Sequence, residues 1–329
     1  MKPDFVNTIF DIADQSDFQK KTLEIFNYQA KNNQIYNLFV KYLGINPDAV
    51  RRVDDIPFLP VSFFKKHKVV SGYNSGNLVF ESSGTGGDMT SRHYVKDAAI
   101  YEKSMLRGFS LFYGDPGEYM IAALLPSYTE RENSSLIYMV KKLIEKSNCH
   151  LNGFYRENVN VLLSNIEASE SEKKKILLIG VSFALLDLAE KYSPDLEGVI
   201  VMETGGMKGR RREMTREELH SVLRQGFNVK SIHSEYGMTE LLSQAYSKRD
   251  GIFFCPPWMK VFIRDPQDPL SIIKEPGKTG GINIIDLANI HSCSFIATDD
   301  LGKLDVDNSF EVLGRFDRSD IRGCNLLLE

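Results

Sequence analysis

The stretch KILLIGVSFALLDLAEKYSPDLEGVIVMETGG, residues 175–206, decides the fold. Ile176-Leu177-Leu178-Ile179 is a short continuous apolar run, the pattern of a strand buried on both faces. Phe183 to Tyr192 then spaces its apolar residues for a short helix, and Val199-Ile200-Val201-Met202 supplies a second strand before a Gly-Gly turn. Beyond that turn Thr215, with Glu218 three residues on, forms a capping box that opens another helix. Gly226 can end this helix ahead of a third strand at Val229-Lys230-Ser231-Ile232. A β-α-β-α-β order calls for parallel strands with crossover helices, and such sheets bind ligands in the loops beyond the strands' carboxyl ends. Those loops are METGG (202–206) and HSEYGMTE (233–240).

Upstream, apolar residues from Phe18 to Leu43 fall at helical spacing, with Gly44 placed to end the helix. IPFLPVSFFKKHKV (56–69) reads as an extended approach, and Leu78-Val79-Phe80 as a strand running into a glycine-rich turn. Downstream of Gly251 the runs MKVFIRD, GINIIDL, SFIATDD and FEVLGRFD, split by proline and glycine, predict a smaller, mainly antiparallel β subdomain. The expected organisation is a helical lead-in (1–75), an α/β core (76–250) and a β-rich part (251–329), all one structural unit.

Composition narrows the partners. A net charge of -4 and a pI near 6.0 give no basic field to attract nucleic acid or an anionic membrane. The N-terminal residues lack the basic and apolar regions of a secretory signal, and no run reaches the ~18 apolar residues of a membrane span, so a cytoplasmic location is expected. Cys149, Cys255, Cys293 and Cys324 lie far apart without CxxC pairing, which suggests neither zinc nor disulfides; no histidine pair has metal-ligand spacing either.

Four motifs carry chemistry. In SSGTGG (82–87) the glycines, the hydroxyls of Ser82, Ser83 and Thr85 and the free amides can cradle phosphate, although a plain Gly-Ser turn reads the same and no Walker lysine follows. In SEYGMTE (234–240) Tyr236 can stack on a base, Gly237 turns the chain, Thr239 can bond an α-phosphate and Glu240 can hold Mg²⁺; a solvated helix cap is the bland reading. ATDDLG (297–302) is either a hairpin turn or an acceptor for ribose hydroxyls. GRFDRSDIRG (314–323) interleaves Asp317 and Asp320 with Arg315, Arg318 and Arg322, as a cation near phosphate or as a surface ion-pair network. The basic run Lys208 to Arg212 is a solvated loop or an attractor of phosphate or an acidic partner, and His233 can line the pocket.

The order of these motifs at wide spacing resembles the adenylate-forming (ANL) superfamily. Within it, IPFLPVSFFK, LLPSYTERENSSLIYM (124–139) and the terminal SDIRGCNLLLE are similar to the acyl-protein synthetase subunit of bacterial luminescence fatty-acid reductase, the LuxE type, over nearly the whole chain. The resemblance implies an α/β fold like the adenylate-forming enzymes' large domain, with mixed and parallel sheets flanked by helices, and residues 76–250 as the nucleotide- and acyl-binding core. It implies that Ser83, Gly84, Thr85, Gly86 and Gly87 grip the β- and γ-phosphates of ATP. Gly205 and Gly206 would border the adenine and acyl pocket, Tyr236 would flank adenine, and Thr239 and Glu240 would serve phosphate and Mg²⁺. Asp300 would bind ribose, Arg315 would reach ribose or phosphate, and Tyr128 and Thr129 would sit near the acyl entrance.

Typical members of the superfamily carry about a hundred further residues after the GRxD motif, a mobile domain with a lysine that assists adenylation; here Ile321 to Glu329 follow. In the acyl-protein synthetases the acyl group passes from AMP to a cysteine near the carboxyl end, and Cys324 stands at that place. As a thiolate, with Arg318 and Arg322 near to lower its pKa, it can attack the mixed anhydride; a lone cysteine by itself reads as a small buried hydrophobe. The expectation is ATP·Mg²⁺-dependent activation of a carboxylic acid, a fatty acid by the resemblance, with transfer through Cys324 to a partner such as an acyl reductase or carrier. The rivals are an acyl- or aryl-CoA ligase that passes the acyl group straight to CoA or a carrier, and a non-catalytic subunit that keeps the fold.

Overall fold

The computed structural model describes residues 8–72, 76, 78–82, 89–125, 133–156, 158–205 and 214–316. The chain opens with α1 (Gln15–Asn32) and α2 (Gln34–Tyr42), then β1 (Leu59–Pro60), α3 (Phe63–Lys66), β2 (Leu78–Glu81), β3 (Arg92–Val95) and α4 (Ala98–Tyr113). The α/β part continues with β4 (Tyr119–Leu124), α5 (Ser135–Lys146), β5 (Gly153–Phe154), α6 (Val159–Ser171), β6 (Lys175–Val181), α7 (Ser182–Tyr192), β7 (Ile200–Thr204), α8 (Arg216–Phe227), β8 (His233–Tyr236) and β9 (Ala245–Ser247). It closes with β10 (Ile252–Phe253), β11 (Met259–Arg264), β12 (Ile272–Ile273), β13 (Thr279–Asp286), β14 (Phe295–Leu304) and β15 (Phe310–Arg315).

One sheet has the order β5-β4-β6-β7-β8-β9, parallel except for the antiparallel edge strand β9. Its central strands face two apolar layers, which is why they read as unbroken hydrophobic runs. Ile121, Ala123, Leu177 and Ile179 join one core with α4 and the antiparallel sheet, while Met120, Ala122, Ile176 and Leu178 join another under α6, α7 and α8. The second sheet, β10-β15-β14-β13-β11-β12, is antiparallel, and β1 adds to it by pairing parallel with β14. The β2–β3 hairpin stands apart from both sheets. The fold class is the one the sequence resemblance implies.

Four local expectations are corrected. The single helix over 18–43 is two, because the Asn33 side chain accepts from the amides of Ile35 and Tyr36 and restarts the helix. Gly226 does not end α8: Asn228, at φ 52°, makes the left-handed cap. Gly226 instead lets α7 approach, since a Cβ there would lie 2.7 Å from the Ala189 Cβ. The third strand is His233–Tyr236 rather than residues 229–232, with Met202 opposite His233. Val229 is consumed by the cap, its amide bonding the Arg224 carbonyl, so the strand begins later, in polar sequence. In the same way Met202, Glu203 and Thr204 belong to β7 and not to the loop after it. No helix among the described residues is long and apolar enough to cross a membrane.

Candidate functional site

The site forms beyond the carboxyl ends of β7 and β8. Gly205 turns the chain out of β7 at φ +70°, a conformation natural to glycine, and Ser182 at the start of α7 donates to its carbonyl at 2.7 Å. Gly206, Lys208 to Arg212, Ser83 to Gly87, Tyr128, Thr129, Asp317, Arg318, Asp320, Arg322 and Cys324 lie outside the described residues.

Tyr236 ends β8 with its ring edge-on to Phe253 and Phe310 and its hydroxyl donating to Asp300 Oδ2 at 2.7 Å. Asp300 therefore belongs inside the sheet and not in a turn: β14 runs through ATDDLG, and alternation turns Asp299 to solvent and Asp300 inward. Arg315 is the direct cross-strand partner of Asp300, its Nε 3.5 Å from Oδ1 and its side chain 83% exposed. Burial pushes the Asp300 carboxyl above its usual range, against the opposing pull of the Tyr236 hydroxyl and Arg315. Underneath, Arg264 is buried, donating to the carbonyls of Ile282 and Thr298 and to Asn283 Oδ1, which fixes β14 beside the site.

The loop after β8 exposes Gly237, half-buries Thr239 and buries Glu240. Burial raises the Glu240 carboxyl above the ordinary range; a hydrogen bond from Ser91 and the charges of Arg315 and Lys65 oppose the rise. Two buried side chains hold this loop by its backbone. Asn289 donates to the Glu240 carbonyl at 2.7 Å. His93 Nδ1 lies 2.9 Å from the Thr239 carbonyl, so that nitrogen carries the proton and Nε2 accepts from Ser292 Oγ at 2.8 Å. Burial lowers the His93 pKa to about 4, so the ring is neutral and this tautomer persists.

Ser91 and His93 come from the β2–β3 hairpin. Its mouth is closed by Ser82, whose Oγ accepts from the Ser91 amide at 2.9 Å and whose amide bonds the Ser91 carbonyl at 3.0 Å. The stems of the loop that contains SSGTGG thus stand directly beside Glu240. The structure brings together Ser82, Tyr236, Thr239, Glu240, Asp300 and Arg315, residues spread over more than two hundred positions of chain.

Two buried carboxylates on β7 and β8 escaped the sequence reading. Glu203 on β7 faces α8, where Arg216 Nε lies 3.3 Å and His220 Nε2 3.6 Å away. Glu235 on β8 faces the other way, beside Tyr101, Tyr113 and Tyr246, and accepts from Thr204 Oγ1 at 2.5 Å. Burial and the neighbouring Glu203 raise its pKa to about 7. Both sit in motifs already singled out, and the only available signal was an acid within an otherwise strand-like run. His233 shares a 3.2 Å contact with the Tyr113 hydroxyl and is held near pKa 4 by burial. Cys149, Cys255 and Cys293 are free thiols; burial pushes Cys293 up to about 12 and raises Cys255 further, so neither supplies a thiolate near neutrality.

The sequence matches no family model and no curated protein. Solved structures share the fold. A 2-hydroxyisobutyryl-CoA ligase in complex with 2-HIB-AMP and CoA aligns with a TM-score of 0.69 at 13% identity, over 95% of this chain and 71% of that one. ATP-bound MatB from Rhodopseudomonas palustris aligns with a TM-score of 0.55 at 13% identity, over 74% of this chain and 49% of that one. A luciferase-like enzyme from the mealworm Zophobas morio aligns with a TM-score of 0.51 at 17% identity, over 75% and 60% of the two chains. The chain thus has the large-domain fold of adenylate-forming enzymes and spans about half to seven tenths of their length.

Proposed function

We propose that this chain activates a carboxylic acid with ATP, forming an acyl-adenylate and pyrophosphate. The observation that carries the reading is the convergence of Glu240, Asp300 with Tyr236, and Arg315 on the stems of the glycine-rich loop, at the carboxyl end of a parallel sheet. The ligase and MatB, solved with an acyl-AMP and with ATP, share this fold and lend the reading support. A carboxylate oxygen of the acid attacks the α-phosphorus, the bond to the bridging oxygen breaks, and pyrophosphate leaves. No side chain has to remove a proton, because the acid is already ionised near neutrality.

Asp300 accepts from ribose hydroxyls in this reading, Arg315 balances phosphate or ribose charge, and Thr239 bonds the α-phosphate. The residues fit a nucleotide-borne magnesium. The described residues hold no cluster of three or more His, Cys, Asp or Glu, and the buried Glu240 carboxylate of the loop after β8 could supply one oxygen ligand to an ion carried chiefly by the phosphates. Bound there, magnesium would supply neutralisation of the phosphate oxygens. By the resemblance, Gly205 and Gly206 would border the adenine and acyl pocket, Gly237 would lie at the nucleotide, and Ser83 to Gly87 would take the outer phosphates.

The finer proposal follows the LuxE-type resemblance: a fatty acid is the substrate, the Cys324 thiolate attacks the acyl carbon as AMP leaves, and the thioester passes to a reductase or carrier protein in the cytoplasm. Pyrophosphate exchange into ATP with a panel of acids tests the first step; folded protein that is silent across the panel refutes it. For the second step, Cys324→Ser should abolish hydroxylamine-labile labelling by radioactive acid and ATP. Labelling that persists would overturn the acyl-cysteine, and acid-dependent thioester release into CoA would favour direct transfer.

A further inference from the structure

β15 reaches Arg315 past an irregularity. Leu301 pairs with Gly314 and Gly302 with Val312, so Leu313 is the extra residue of a β-bulge. That offset brings Arg315 opposite Asp300. A side chain of α8 grips the strand at this point: Arg216 Nη1 donates to the Val312 carbonyl at 3.0 Å. Its Nε lies 3.3 Å from Glu203 Oε1 on β7, and its guanidinium lies over the Phe253 ring, 5.0 Å from the centroid. Each of these three contacts leads to the site. Glu203 Oε2 lies 3.3 Å from Ser182 Oγ, which donates to the Gly205 carbonyl at 2.7 Å. Phe253 stacks on its cross-strand partner Phe310 and meets Tyr236 edge-on at 5.9 Å, and the Tyr236 hydroxyl holds Asp300. Val312 is the residue before the bulge that aims Arg315.

The helix itself gains little from an arginine here. Arg216 is the first residue after the Thr215 cap, where a cation opposes the helix dipole. The site explains it better, because a planar fork can meet a carboxylate and a carbonyl with its edges and a ring with its face, which a lysine ammonium cannot. The turn before β10 leaves room for the stem: Gly251 sits at φ +68°, and a Cβ there would lie 2.7 Å from Arg216 Cδ. We propose that Arg216 is a positioning residue for the nucleoside end of the site, which ties β7, β10 and β15 together and so sets Gly205, Tyr236 with Asp300, and Arg315 at the spacing that base and ribose must span. The proposal rests on the adenylation reading above for the roles of those groups and adds to it the residue that holds them in register.

The test uses Arg216→Lys, which keeps a charge beside Glu203 and loses the fork, and the double variant Arg216→Met with Glu203→Gln, which removes the fork without leaving a bare buried carboxylate. Glu217→Ala, at an exposed position of the same turn, is the control. Titration calorimetry would measure AMP, ATP·Mg²⁺ and pyrophosphate, with thermal unfolding alongside. The expected result is a loss of about fivefold or more in affinity for AMP and ATP at unchanged stoichiometry, pyrophosphate changed less than about twofold, and no effect of Glu217→Ala. A residue that served stability alone would lower the stoichiometry and the unfolding midpoint and leave the dissociation constants as they were; that result overturns the proposal, and so does an equal loss for pyrophosphate. If Arg216→Lys does not fold, the double variant is read in its place, and if neither folds Arg216 is a folding residue and the proposal falls. Wild-type protein that binds AMP and ATP but exchanges pyrophosphate with no acid refutes the adenylation reading and leaves Arg216 to be judged on the binding data. Wild-type protein that binds no nucleotide overturns both.

Discussion

Neutralising Glu235 should flatten the pH dependence of stability. Its carboxyl has an ordinary value of 4.5 and is raised to about 7 in the folded chain. Below 4.5 both states hold the proton and the group contributes nothing to the pH dependence. Between 4.5 and 7 the unfolded chain is ionised while the folded chain retains the proton, so unfolding releases it and stability falls as pH rises. Above 7 the loss is complete, because the folded protein then carries a buried charge with one hydroxyl, that of Thr204, to solvate it. With these two values the linkage relation gives a loss of about 2 kcal/mol between pH 5.5 and pH 8, out of a full span of roughly 3 kcal/mol. Glu235→Gln keeps the volume and an oxygen for the Thr204 hydroxyl but cannot ionise. The assay is urea unfolding at pH 5.5, 7 and 8, followed by the fluorescence of Trp258, the single tryptophan, which is buried. The variant should match the wild type most nearly at pH 5.5 and exceed it by the growing difference at pH 8. Equal pH slopes in the two proteins would refute the placement of a protonated Glu235 in the folded chain.

Three further outcomes follow from single contacts. His93→Asn can still donate to the Thr239 carbonyl from the position of Nδ1, whereas His93→Gln reaches only toward Ser292; amide exchange of residues 237–241 should rise several-fold in the glutamine variant and stay near wild type in the asparagine one. Tyr236→Phe removes the hydroxyl donor to buried Asp300 and should cost about 1–3 kcal/mol in urea unfolding, with KM for ATP raised in pyrophosphate exchange if Asp300 meets ribose. Gly226→Ala gains about 1 kcal/mol of helix propensity but puts a methyl 2.7 Å from the Ala189 Cβ, so a net loss of about 1–2 kcal/mol in chemical denaturation is expected.

The sequence announced the strands that bury apolar side chains on both faces and hid the one that buries polar ones. β6 and β7 were legible because Ile176 to Ile179 and Val199 to Met202 are unbroken apolar runs. β8 is His-Ser-Glu-Tyr, a run that hydrophobic periodicity assigns to a loop. It is stable inside because partners distant in sequence satisfy it: His220 lies 3.4 Å from Ser234 Oγ, Thr204 donates to Glu235, and Asp300 accepts from Tyr236. ATDDLG reads as a turn, because two adjacent acids suggest solvent, whereas Asp300 is buried within β14; its burial depends on the Tyr236 hydroxyl, which no local pattern contains.

The same reasoning explains why no role for His93 can be read from the sequence. Its significance lies in one ring touching two chain segments, Thr239 at a separation of 146 residues and Ser292 at 199. Such a bridge couples the hairpin that carries the glycine-rich loop to the loop that carries Glu240, and Phe64 extends the coupling to α3. Neutral at any pH above about 4, His93 holds that geometry without adding charge where an anionic ligand is to bind. A cation there would add positive charge behind the Thr239 carbonyl and a carboxylate would repel phosphate, so a buried neutral imidazole is the side chain that locks these segments and leaves the electrostatics to Arg315 and Glu240.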